Sequence, residues 1–120
     1  MDKETIKKLK ERIKEVYAEK PQIKSVFLAI LNEPTIANHI YGYSWVSGST
    51  TEVHPLTIWH DGLSIQMDTR KNYFEKAIVR VLEKHSDIFC EGWFNRNDGS
   101  CPASIWFNFT DEFKGCQFQL

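Results

Sequence analysis

Residues 2 to 19 place Ile6, Leu9, Ile13, Val16 and Tyr17 at helical spacing, with Lys and Glu filling the other positions. That pattern predicts an amphipathic helix, with Asp2 as its N-cap and Pro21 closing it. Residues 23 to 31 carry Ile23, Val26, Phe27, Ile30 and Leu31. They fit a helix begun at Pro21 or a buried strand. The shortness of the run between Pro21 and Pro34 favours a strand. Residues 36 to 46 read as a further strand, with His39, Tyr41, Tyr43 and Trp45 on one face and Ile36, Ile40 and Val46 on the other. The segment 47 to 51 is a polar loop.

Two alternating runs then flank Asp61-Gly62, a preferred pair for a two-residue type I′ turn. The expected register sets His60 opposite Leu63, Ile58 opposite Ile65 and Leu56 opposite Met67. Leu56, Ile58, Leu63, Ile65 and Met67 form the core face, and Thr57, Trp59, Ser64 and Gln66 point away from it. A second amphipathic helix is expected over 69–85, capped by Asp68 or Thr69, with Phe74, Ala77, Ile78, Val81 and Leu82 as its stripe. Strands follow at about 88–95 and 103–109, joined by a turn-rich loop. In the latter, Ala103, Ile105, Phe107 and Phe109 alternate with Ser104, Trp106 and Asn108. A short last strand, about 115–119, carries Cys116 and Phe118.

No linker or low-complexity segment divides this order, and 120 residues suit one domain. The expected fold class is α+β over 1–120: a single antiparallel sheet with two amphipathic helices packed on one face, a two-layer sandwich. The other face of such a sheet can meet solvent. This arrangement is similar, at the level of fold only, to many small intracellular α+β proteins, toxin-immunity and phage-encoded antagonist proteins among them.

Composition adds two facts. Aromatic residues make up 13% and four of them are Trp, whose indole N–H seeks a partner and favours half-wet surfaces. Charge is segregated: no Lys or Arg occurs from Ser25 to Thr69, where the acids are Glu33, Glu52, Asp61 and Asp68. From His85 onward Arg96 and Lys114 stand against Asp87, Glu91, Asp98, Asp111 and Glu112. The basic residues concentrate in the helical segments. An aromatic sheet face that binds RNA needs basic surroundings to hold phosphates, so nucleic acid is not an expected partner. The N-terminal residues carry no apolar signal-peptide core, and no apolar run reaches a membrane span. The expectation is a cytoplasmic protein with reduced thiols and no membrane partner.

Candidate chemistry is sparse. Cys90, Cys101 and Cys116 lack the close pairing of zinc ligands, and His54, His60 and His85 do not supply it, so no metal is expected. Cys90 and Cys116 read as small apolar strand residues, and Cys101 as a loop thiol beside Pro102. No phosphate-binding glycine loop or nucleophile elbow occurs, and no cofactor is expected. His54 and His60 lie six apart on one predicted strand, with Asp61 adjacent. This set could serve acid–base chemistry or hold a small molecule. Asn95, Asn108 and Asp98 beside the aromatics could line a pocket for a planar or sugar-like ligand.

The leading expectation is a non-catalytic binding protein. It docks an aromatic, acidic sheet face onto a protein partner, as an inhibitor, antagonist or immunity protein, or onto a second copy as a dimer. Its candidate contacts are Tyr41, Tyr43, Trp45, Trp59, Trp93 and Trp106. The alternative is a small-molecule-binding protein or simple enzyme using His54, His60 and Asp61.

Overall fold

The computed structural model describes residues 2–41, 45–46, 52–97 and 102–115; for 45–46 and 52–54 it describes the backbone alone. The described chain is α+β, with one antiparallel sheet and helices packed on one of its faces. Helices α1 (Lys3–Val16), α2 (Pro21–Leu31) and α3 (Pro34–Ala37) come first. Strands β1 (Trp45–Val46), β2 (Glu52–His54), β3 (Leu56–Ile58) and β4 (Gly62–Met67) follow. Then come α4 (Glu75–Lys84), β5 (Phe89–Asn95), β6 (Ala103–Phe109) and the short α5 (Asp111–Lys114). The strand order is β1-β2-β3-β4-β6-β5.

Helix α1 begins where the sequence predicts: Asp2 Oδ1 accepts from the Thr5 amide at 2.7 Å. Its face of Ile6, Leu9 and Ile13 is buried, and Tyr17 beyond its end packs its ring 5.6 Å from Phe27 of α2. Burial raises the Tyr17 phenol above its ordinary value.

The strand expected over 23–31 is helix α2 instead. Pro21 stands in its first turn, where a missing N–H costs nothing. Ile23, Val26, Phe27, Ala29, Ile30 and Leu31 are all buried, so the helix is apolar over most of its surface. A helix enclosed by its neighbours shows no polar stripe, so its apolar run resembles a buried strand. The strand expected over 36–46 is also corrected. Pro34 starts the one-turn helix α3, and among the described residues of this stretch strand-type pairing is confined to Ile40, in an isolated bridge to Met67, and to Trp45–Val46. His39 leaves the expected aromatic face to meet Asp68 at 3.0 Å and the edge of Phe74.

Helix α4 starts at Glu75, six residues after the predicted start at Thr69. Local hydrogen bonds compete with the helix there: Thr69 Oγ1 accepts from the Lys71 amide and Asn72 Oδ1 from the Phe74 amide. Its stripe packs as expected, with Phe74, Ala77, Ile78 and Val81 buried against the sheet. Arg80, on α4, reaches across to Glu33 before α3, donating from Nη2 at 2.7 Å and from Nε at 3.2 Å. That fork holds the Glu33 carboxyl below its ordinary value.

At the end of α4, His85 is half-buried, and burial with the neighbouring Lys84 lowers its pKa below the ordinary 6.5, against an opposing pull from Asp87. The unfolded chain therefore takes up this proton first as pH falls. The stability contribution is intact above about pH 6.5 and is lost progressively below it. Urea midpoints measured at about pH 7.5 and 5.5 should fall more for the wild type than for His85→Gln. Equal falls would show that His85 plays no part in the acid sensitivity.

The final strand expected over 115–119 falls largely outside the described residues. At its start the chain is instead in α5 and the turn at Gly115. Thr110 caps α5, its hydroxyl accepting from the Phe113 amide at 3.0 Å, and Asp111 and Glu112 occupy the first turn. That Thr-Asp-Glu run is a readable helix start.

Candidate functional site

The sheet has two unlike faces. On the helix-covered side lie Leu56, Ile58, Leu63, Ile65, Met67, Ala103, Ile105, Phe107 and Phe109, all buried in the core cluster. On the other side the side chains are half-buried or exposed.

The hairpin register differs from the predicted one by two residues. Ile58 faces Leu63, Thr57 faces Ser64 and Leu56 faces Ile65. His60 and Asp61, not Asp61 and Gly62, are the two turn residues, closed by the Trp59 amide donating to the Gly62 carbonyl at 2.7 Å. Among the described non-glycine residues only Asn97 has a positive φ, so His60 and Asp61 do not form a type I′ turn. A shift of two keeps every side chain on its predicted face, because strand side chains alternate with period two.

The shift also changes the role of Gly62. It stands at the closing position of the turn, opposite Asn108. A Cβ there would lie 2.3 Å from the Phe107 carbonyl oxygen and 2.9 Å from the Trp106 ring. The position must be bare because the neighbouring strand and indole press against it.

Across the open face runs one row of side chains. Thr57 faces Ser64, Ser64 faces Trp106, and Trp106 faces Trp93. The Trp59 indole folds onto the same row, its Nε1 donating to Ser64 Oγ at 3.0 Å. Trp106 Nε1 donates to Asn108 Oδ1, and the Trp93 and Trp106 rings lie 6.3 Å apart with planes tilted by 39°. Polar neighbours thus satisfy two of the indole N–H groups, leaving ring surface to the outside. Trp59 is 50% exposed and Trp93 44%, while Trp106 is half-buried between them.

A β-bulge puts Trp93 on this face. Phe89 faces Phe109, yet Glu91 faces Asn108, so one extra residue of β5 is accommodated at Cys90. Strict alternation from buried Phe89 would send Glu91 and Trp93 into the core. After the bulge, Gly92 and Phe94 point inward, and Glu91, Trp93 and Asn95 share the face of their partners Asn108, Trp106 and Ser104. Cys90 is correspondingly exposed, contrary to the expectation of a buried thiol, and its Sγ lies 3.5 Å from the Phe109 carbonyl oxygen. Gly92 admits the Phe107 ring from the facing strand, two ring carbons standing 2.7 Å from where its Cβ would be.

Of the aromatic residues named from sequence, the structure gathers Trp59, Trp93 and Trp106. Tyr41 is exposed beside the later part of β4, its amide donating to the Gln66 carbonyl at 2.8 Å, three residues along that strand from Leu63. Tyr43 lies outside the described residues. The Trp45 backbone pairs with His54, and its side chain also lies outside them.

The His54, His60 and Asp61 set is not gathered. His54 ends β2 and is not on one strand with His60, because His54 and Pro55 turn the chain between paired Val53 and Leu56. His60 and Asp61 are exposed in the turn beyond the opposite end of β3. Extended chain of this length separates the two positions by about 20 Å. The side chain of His54 lies outside the described residues, as do Asp98, Cys101 and Cys116. Among the described residues no group of three His, Cys, Asp or Glu side chains could hold a metal ion. No described helix is long and apolar enough to cross a membrane.

One feature escaped the sequence reading. Arg70 and Lys71, 26 and 25 residues before Arg96 in the chain, line one cleft with it, Asn72 and Phe94 at the end of the sheet where β4 and β5 finish. Arg70 also shares a neighbouring cleft with Tyr41 and Gln66. The only signal in the sequence was their position just after two predicted strands.

No protein-family model matches this chain, and comparison with curated proteins and with solved structures likewise yields no match.

Proposed function

We propose that this is a non-catalytic, cytoplasmic binding protein whose open sheet face docks onto another protein surface. The observation that carries the reading is the row formed by Trp59, Trp106 and Trp93, with N–H partners within the sheet for the first two and ring surface left outside. Large aromatic side chains held rigidly beside small polar ones are the usual anchors of protein interfaces. Covering the exposed parts of Trp59 and Trp93 would remove about 200 Å² of largely apolar surface from water, roughly 5 kcal/mol before the costs of association. A flat face of this kind suits a macromolecule. A small molecule requires a concave site with converging polar groups.

Trp59 and Trp93 are the better test positions, because Trp106 also covers Gly62 and supports the strand pairing. Trp59→Ser/Trp93→Ser should change folding stability by less than about 1 kcal/mol per site. It should weaken association with the protein companion at least ~100-fold. Native mass spectrometry of the gently isolated protein, beside circular dichroism of the variant, makes the measurement. The expected result is a protein companion, or a multiple of 14.0 kDa, lost in a variant that still melts cooperatively. Association unchanged in the folded variant would refute the reading. A monomer carrying only a few hundred extra daltons would replace it with a small-ligand function.

A further inference from the structure

We infer that the cleft lined by Arg70, Lys71, Asn72, Phe94 and Arg96 binds a small phosphate monoester that carries a planar ring. The site stands apart from the tryptophan face and does not depend on what docks there. The bulge that turns Trp93 outward turns Phe94 to the helix-covered side, where its ring lies 5.5 Å from that of buried Phe74.

The polar wall of this cleft consists of donors. Lys71 and Arg96 are exposed and form no ion pair with a described residue. Arg70 has a contact of its own and adds positive field to the same wall. Asn72 Oδ1 accepts from the Phe74 amide at 3.1 Å, which leaves the amide NH2 of that side chain to donate. No described carboxylate lines the cleft. Asp68, in the neighbouring cleft, is paired with His39 at 3.0 Å. A wall of this kind repels a cation and suits an anion of more than one charge. The planar fork of Arg96 matches two phosphate oxygens, and the Lys71 ammonium meets a third as a point charge. A lone carboxylate would compensate only one of these cations.

The backbone holds both cationic segments in place. Thr69 Oγ1 accepts from the Lys71 amide at 3.1 Å, and Asn95 Oδ1 accepts from the Asn97 amide at 3.2 Å, with Arg96 between the last two. Asn97 adopts a φ of 51°, which Asn tolerates, and its Nδ2 donates to the Pro102 carbonyl at 2.8 Å, tying the turn to the start of β6. A ligand therefore orders little backbone when it binds. The cleft has a volume of about 500 Å³, in the range of small-molecule sites and larger than a phosphate group alone requires. Half-buried Phe94 is its apolar wall, against which a flat ring attached to the phosphate fits.

Nuclear magnetic resonance titration of the full chain tests this, with phenyl phosphate as the probe and inorganic phosphate in parallel. Phenyl phosphate should bind with a dissociation constant of about 1 mM or below at about 0.05 M salt. It should shift the amides of residues 69–72 and 94–97 and bind at least ~3-fold more tightly than inorganic phosphate. Lys71→Gln and Arg96→Gln should each weaken it at least ~10-fold with the rest of the spectrum unchanged, and Arg96→Lys should recover part of the loss. Trp59→Ser/Trp93→Ser should leave the affinity within about twofold of wild type. No saturable shift up to about 10 mM of either probe, shifts confined to other residues, or binding indifferent to both Gln variants overturns the inference. Equal affinity for the two probes overturns the ring-bearing ligand.

Discussion

Gly62→Ala is expected to cost about 3 kcal/mol or more of folding stability, although it adds a single methyl group at a hairpin. A Cβ at this position would stand 2.3 Å from the Phe107 carbonyl oxygen, which belongs to the neighbouring strand and cannot rotate away. The Trp106 ring, 2.9 Å from the same point, blocks the other direction. Relief requires β4 and β6 to separate where they pair Gly62 with Asn108 and Leu63 with Phe107. It also displaces the indole whose N–H Asn108 accepts. The consequence reaches the proposed interface as well as the fold. Thermal melts should show the midpoint falling by roughly 10 °C or more, and the near-ultraviolet tryptophan signal should change with it. A variant melting within about 2 °C of wild type would mean that the two strands do not approach this closely at Gly62.

Phe107→Ala carries the other large effect, about 3–5 kcal/mol, because a fully buried ring leaves a cavity that rigid neighbours only partly close. The ring lies 4.9 Å from that of Phe89 and directly against the bare backbone of Gly92. That last contact makes the test specific. In the wild-type background Gly92→Ala should cost about 1–3 kcal/mol, because the new methyl would meet the Phe107 ring at 2.7 Å and Ile78 Cγ2 at 3.0 Å. In the Phe107→Ala background the ring is gone, and the same change should be nearly neutral or restore stability by filling space. Urea denaturation of both single variants and the double one gives the coupling directly. Simple additivity would refute the interlocking of Gly92 and Phe107. Since the bulge turns Gly92 inward and Trp93 outward together, this coupling also checks the register that builds the tryptophan face.

Local chemistry alone determined a good deal of this protein. The Asp2 cap, the stripe of α4 and the alternation of β3, β4 and β6 are properties of neighbouring residues, and periodicity reports them directly. The same alternation placed Trp59 and Trp106 on the open face, and it survived a hairpin register wrong by two because face assignment depends only on parity. The class of fold followed from the order of these elements.

What escaped the sequence depended on partners distant in the chain. Residues 23–31 are equally apolar as strand or helix, and only enclosure by α1 and the sheet makes them α2. The cation cleft assembles Arg70 and Lys71 with Arg96 because β4 and β5 end side by side around β6. Gly62 reads as half of a two-residue hairpin turn, whereas the demand on it comes from a strand more than forty residues away. The bulge at Cys90 is the deciding case. Nothing in Phe-Cys-Glu-Gly-Trp-Phe announces an extra residue, and unbroken alternation from Phe89 would bury Glu91 and Trp93 together. The folded sheet avoids desolvating that carboxylate by slipping one residue against β6, which turns Phe94 into the core against Phe74 and Trp93 out beside Trp106.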